Sequence, residues 1–130
     1  MHREYASLSG AATPVAKLVM LILLQANDSG VDKFSYFEDG QIEPEWCPTP
    51  PAKMAPNILN RLKIIAGLEP LRYQTPVTTS FELVVLYESP PFEQSGERIL
   101  RCKVTVHDYL EPRRVDVEME LPPWRKKRIG

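Results

Sequence analysis

Two histidines, two cysteines, a row of carboxylates and one dense basic cluster are the side chains of this sequence whose chemistry could go beyond packing. His107 falls on the polar side of an alternating run, and His2 stands near the start. A histidine acting as a general base needs a second group to orient it. The acid next to His107 along the chain is Asp108, but adjacent residues of a strand point to opposite faces. His107 therefore reads as a solvated surface side chain. Two histidines without a Cys-His spacing do not compose a zinc site, so no metal and no cofactor is expected.

Asp116, Glu118 and Glu120 alternate along one run, while Arg101 and Lys103 alternate along another. A metal would suit the carboxylate row, but facing cations make it a charged solvent face. Glu38 and Asp39 belong to a turn and need no further role. Cys47 and Cys102 have neither metal nor redox spacing, and the simplest reading is a reduced, cytoplasmic protein, with one disulfide left open. Trp124, Arg125, Lys126, Lys127 and Arg128 set four cations beside an indole. Such a cluster can bind phosphates or an anionic surface, and it can equally serve only to solubilise a tail.

Composition bounds these options. The chain has 130 residues, 43% apolar and 25% charged, with a net charge of −1. That suits one domain with one core and supplies no global field toward nucleic acid or lipid. The start, Met1-His-Arg-Glu-Tyr5, has no signal-peptide pattern. The longest apolar run, Leu18–Leu24, is far short of the about 20 residues that cross a bilayer, so no membrane span is expected. Thirteen prolines cluster at 44–56, 90–91 and 122–123 among other places, where they punctuate elements they cannot join.

The elements follow from period and punctuation. Residues 1–12 lack a period and read as a flexible lead-in. Thr13 and Pro14 are a cap and a first helical position for a helix reaching about Ala26 and stopping near Ser29-Gly30. Being apolar nearly all round, it should be covered on more than one side. Lys33–Phe37 and Gln41–Trp46 flank an Asp39-Gly40 turn and predict a hairpin, with Pro44 marking an edge. A second helix over about Pro56–Ala66 buries Ile58, Leu62 and Ile65, beside Leu59 and Ala66. Its polar residues Asn57, Asn60, Arg61 and Lys63 lie mostly elsewhere, and Gly67 ends it.

The second half reads as strands. They are Ser80–Tyr87, a run from Leu100 to His107, and Val115–Leu121, with a turn at Gln94-Ser-Gly96 and another near Leu110–Pro112. The prediction is one α+β domain over 13–123, with two helices on one face of a mainly antiparallel sheet of about five strands, and a basic tail over 124–130.

Three of these segments carry a likeness. Pro14-Val15 leading into Leu21-Ile-Leu-Leu-Gln-Ala26, Asp39-Gly40 followed by Pro48-Thr-Pro-Pro51, and Arg61-Leu-Lys-Ile-Ile-Ala-Gly-Leu-Glu69 occur in this order. In order and spacing, Thr13 to about Glu69 resembles the N-terminal subdomain of the type II secretion and type IV pilus-assembly ATPases. The resemblance implies a PAS-like unit, found in that family before a RecA-like ATPase core in hexameric motors. It also implies a role for arginines near nucleotide, which here falls on Arg61 alone.

The departures from the family are equally specific. No glycine is followed by lysine, so the backbone cradle and lysine of a Walker A loop are missing. Where the family carries an arginine-rich element, this chain has Tyr73-Gln-Thr-Pro-Val-Thr-Thr-Ser80, in which only Pro76 matches. The sequence thus points to a non-catalytic interaction domain that docks on or modulates such a motor. Arg61 and the Trp124–Arg128 cluster are the candidate partner-binding residues. The alternative is a small ligand-sensing domain with a PAS-like cavity, or one that touches nucleic acid or an anionic surface through its tail.

Overall fold

The structure, a computed structural model, describes residues 2–7, 13–45, 49–89 and 94–121. Helix α1 spans Pro14–Asp28. The Thr13 side chain accepts a hydrogen bond from the Ala16 amide at 3.2 Å, and Pro14 occupies the first turn, where its missing N–H is not required. The helix closes where the Val31 amide donates to the Ala26 carbonyl at 2.8 Å across Gly30, whose φ is +79°.

Val19, Met20, Ile22, Leu23, Ala26 and Asn27 are buried, but Leu21 is 44% exposed. Cover on more than one side was expected, and α1 has it from the sheet and from α2, with Val15, Leu18 and Leu24 partly buried against the core. In a helix layer laid on a sheet, the outer side of each helix remains in water.

Helix α2 spans Ala55–Ile65 and follows a short 3-10 turn at Ala52–Met54. It buries Ile58, Leu59, Leu62 and Ile65 as its period predicts, with Ala66 just beyond. Gly67 (φ +83°) lets the Leu68 amide reach back to the Lys63 carbonyl at 2.9 Å. A Cβ at Gly67 would also stand 2.7 Å from His2 Cγ, so the close approach of the N-terminal segment excludes any larger residue.

Six strands form one sheet: β1 (His2–Ser7), β2 (Lys33–Phe37), β3 (Ile42–Glu43), β4 (Val77–Ser89), β5 (Gln94–His107) and β6 (Arg114–Met119). Their spatial order is β1-β4-β5-β6-β2-β3. The β2–β3 hairpin turns at Gly40 (φ +93°), whose amide donates to the Phe37 carbonyl, and β3 is the edge that Pro44 announced.

The sheet is mixed, with one strand more than expected, because residues 2–7 are not a flexible lead-in. They pair in parallel with β4 from His2↔Phe81 to Ser7↔Leu86. Arg3 meets its cross-strand partner Glu82 at 2.6 and 2.9 Å. Gln94–Gly96, read from sequence as a turn, are the first residues of β5, with Ser89 opposite Gln94. The connection over 90–93 and the tail from 122 lie outside the described residues.

Phe34, Tyr36, Phe81, Leu83, Val85, Leu100, Cys102, Val104, Val106, Val115, Val117 and Met119 point to one side of the sheet and join both helices in a single buried cluster. A one-residue slip of β5 would expose Leu100, Val104 and Val106, at roughly 1.5–3 kcal/mol each. The cross-strand charge pairs on the other side contribute only about 0.2–1 kcal/mol each. Packing therefore sets the register, and the charges accommodate to it.

One residue breaks the helix pattern. Lys63 belongs by spacing with the polar residues of α2, yet it is 1% exposed. Its Nζ meets Asp108 Oδ2 at 2.7 Å and the Leu71 carbonyl at 2.8 Å, and lies 5.6 Å from the centre of the Tyr73 ring. Asp108, also 1% exposed, accepts the Tyr73 amide at 2.9 Å through the same oxygen. Removing one partner of a buried pair strands the other charge, at a cost of about 3–5 kcal/mol. Lys63→Met should reduce the unfolding free energy by that order, read as a lower denaturation midpoint. Lys63→Met with Asp108→Asn, which keeps an acceptor for Tyr73 without a carboxylate, should recover much of the loss. Equal midpoints for the single and double variants would show that charge burial is not the cause.

Candidate functional site

With both helices on one side, the other side of the sheet is left open among the described residues. The alternate positions of the strands build it row by row. Arg3, Glu82 and Arg101 lie abreast on β1, β4 and β5, and Tyr5, Val84 and Ile99 form the next row. Farther along, Lys103, Glu118 and Lys33 cross β5, β6 and β2, followed by Thr105, Asp116 and Ser35.

The apolar part is concentrated at the β1–β4–β5 end. Tyr5 is 59% exposed, Leu86 41% and Ile99 40%, around a Val84 that is 2% exposed. Scattered exposed apolar residues are ordinary on a protein surface, but a contiguous group rimmed by polar ones marks an interaction surface.

The rim carboxylates are already engaged within the chain, with two arginines sharing one of them. Glu82 takes Arg3 at 2.6 Å and Arg101 at 3.2 Å, and the hydrogen bond from Arg3 holds its carboxyl below the usual range. Lys103 stands 3.7 Å from Glu118. Arg101 thus serves Glu82, and of the two cations expected to match the acidic row only Lys103 forms an ion pair with it. Two shallow depressions, of about 390 and 450 Å³, flank the shared Lys33 and Glu118. Both are open to solvent and lined by mixed charges.

His107 is not the solvated side chain that its sequence neighbours suggest. Its side chain is 13% exposed, with Nε2 2.8 Å from Asp116 Oδ2 and Nδ1 2.8 Å from the Tyr109 hydroxyl. The other Asp116 oxygen accepts the Ser35 hydroxyl at 2.6 Å and lies 3.2 Å from Arg114 Nε. The orienting acid that seemed lacking is Asp116, supplied by the next strand. Only the pairing register brings it there, since His107 lies opposite Arg114, two residues before it.

Arg61, one of the polar residues placed off the apolar face of α2, is half-buried, and its Nε has no hydrogen-bond partner among the described residues. It stands apart from the open sheet face because it belongs to the helix layer. Trp124, Arg125, Lys126, Lys127 and Arg128 lie outside the described residues. Cys102 is a free thiol in the core, pushed up to about 12 by burial and so inert as a nucleophile. Among the described residues no helix is long and apolar enough to cross a membrane, and no three His, Cys, Asp or Glu side chains gather as metal ligands. No protein-family model and no curated protein matches this chain.

Glu38, dismissed from sequence as a turn residue, clamps the start of β6. Its carboxylate accepts Arg113 Nε at 2.9 Å, and its amide donates to the Arg113 carbonyl at 2.8 Å. The Arg113 hydrogen bond lowers the Glu38 pKa from its ordinary 4.5. A lowered carboxylate pKa stabilises the fold above the unfolded-state value, and that contribution is lost as pH falls through the folded value. Arg113→Gln should return the Glu38 titration, followed by carboxyl NMR, toward 4.5. It should also flatten the fall in denaturation midpoint on the acid side of that value. An unchanged Glu38 titration would remove Arg113 as the cause.

Proposed function

We propose that this chain is a non-catalytic, cytoplasmic protein-interaction domain, related to the PAS-like N-terminal subdomain of the secretion and pilus ATPases, and that it docks on such a motor through the open face of its sheet. One observation carries the reading. Half of a six-stranded sheet's alternate positions face away from both helices, and Tyr5, Leu86 and Ile99 there form an exposed apolar group inside a rim of internally paired charge. A surface of that composition gains from apolar burial and is not obliged to strip water from lone charges.

Two further points support the lineage. Leaving β1 aside, the remaining strands are all antiparallel and lie in the order β3-β2-β6-β5-β4, so the first and last of them in the chain pair side by side. This order suits a PAS-like sheet. Of the segments that carry the likeness, Pro14–Ala26 lies in α1, Asp39-Gly40 in the β2–β3 turn, and Arg61–Ile65 in α2, while Pro48 lies outside the described residues. The two depressions on the open side of the sheet are open to solvent and charged, and neither of them is the enclosed cavity a ligand sensor would use.

The test is co-purification of the full chain with a full-length secretion or pilus motor ATPase. Retention is expected for the unaltered chain, and Ile99→Lys or Tyr5→Glu should reduce it tenfold or more, a loss of about 1.4 kcal/mol or more. Both substitutions fall on exposed positions, so the denaturation midpoint should shift little. Retention that survives both would move the interface off this face. No retention of the unaltered chain by any such motor, or turnover of ATP by the purified protein, would overturn the proposal.

A further inference from the structure

The proposed docking role makes no use of the hydrogen-bonded series Asp116–His107–Tyr109. With Asp116 ionised and the imidazole ring neutral, elementary chemistry sets its direction. An ionised Asp116 can only accept, so His107 Nε2, at 2.8 Å, must carry the proton that joins them. In the neutral ring Nδ1 is then the bare nitrogen. It stands 2.8 Å from the Tyr109 oxygen, so the phenol must be the donor. The Tyr109 proton is therefore aimed at a base, and that base is oriented by a carboxylate. The carboxylate is itself held by Ser35 at 2.6 Å and has Arg114 at 3.2 Å. A nucleophile, a base and an orienting acid within hydrogen-bond reach are the arrangement that activates a hydroxyl. Burial does not shut it off, because Tyr109 is 43% exposed, while the His107 side chain behind it is 13% exposed.

We propose that Tyr109 is an activated phenol and a covalent modification site for acyl donors. Its oxygen adds to the acyl carbon, and the bond from that carbon to the leaving group breaks. The phenolic proton passes to His107 Nδ1 and from there to the departing group. The product is an acyl-tyrosine ester, and no oxidant or reductant is involved. His107 acts on the reacting proton, and Asp116 is a positioning residue that sets the tautomer.

The chain supplies its own comparison in Tyr5, which is more exposed, at 59%, and whose side-chain partner is the Arg3 guanidinium, a donor and not a base. The probe is N-acetylimidazole at limiting concentration on the full folded chain, with acetylated peptides quantified by mass spectrometry. General-base assistance should make Tyr109 react roughly tenfold or more faster than Tyr5. His107→Ala and Asp116→Asn should each erase that preference while leaving the Tyr5 rate unchanged. Acetylation of the two tyrosines in proportion to exposure, or slower at Tyr109, overturns the proposal in the unaltered protein without recourse to any variant. A preference that persists in His107→Ala also overturns it. A preference lost in His107→Ala but kept in Asp116→Asn removes Asp116 from its role. None of these outcomes depends on whether the open face binds a motor.

Discussion

A lysine and an aspartate withdrawn from water together tie down three parts of this chain. Lys63 comes from the last turns of α2, Asp108 from the turn that follows β5, and the Leu71 carbonyl and Tyr73 amide from the segment leading into β4. Each charge would be costly alone in that position, and each is matched only when the other two segments are in place. The segment from 68 to 76 has no regular structure, and these hydrogen bonds hold its course together with the core packing of Leu68 and Tyr73. The helix layer, the strand layer and their connection therefore meet at one buried ion pair.

The same point explains the geometry on the opposite face. Val106 points into the core, His107 out of it and Asp108 in again, so the alternation of β5 continues one residue past its pairing. Asp108 is held from the helix side by Lys63, and His107 is held from the open side by Asp116. Adjacent residues anchored to opposite layers leave the β5–β6 turn little freedom to rotate. Tyr109, the next residue, inherits that placement, which brings a half-exposed phenol onto a histidine nitrogen.

Much of the fold was legible because it rests on local rules. The Thr13-Pro14 start, the Asp39-Gly40 turn, the Ile58/Leu62/Ile65 stripe and the two-residue period of the second-half strands each depend on a few neighbouring residues. What escaped depends on distant ones. The segment His2–Ser7 has no aliphatic side chain larger than alanine, and its strand exists because β4 offers an edge and Glu82 a partner for Arg3. Lys63 looks like any polar helix residue until Asp108, 45 positions away, is brought to it. His107 and Asp116 are both conspicuous in the sequence, but their contact follows from a cross-strand offset that the alternation alone does not give. The apolar group of the open face was hidden for the same reason. Ile99 and Leu86 fall on the polar parity of their strands and become a patch only when Tyr5 is laid beside them.

The edges of the sheet bear on why its face is the surface to consider for association. An exposed strand edge is a template for another strand, and proteins blunt such edges with shortness, proline or charge. The β3 edge is two residues long and runs into Pro44. The β1 edge carries His2, Arg3 and Glu4, with Arg3 already committed to Glu82. Both ends of the sheet are thus guarded against strand addition by their own residue types. The open face has the contrary design: its charges are paired with one another, and its exposed aromatic and aliphatic side chains are gathered at one end. A chain that guards its edges and leaves apolar surface on a face whose rim carboxylates are already engaged favours a partner that lies across the strands over one that extends them.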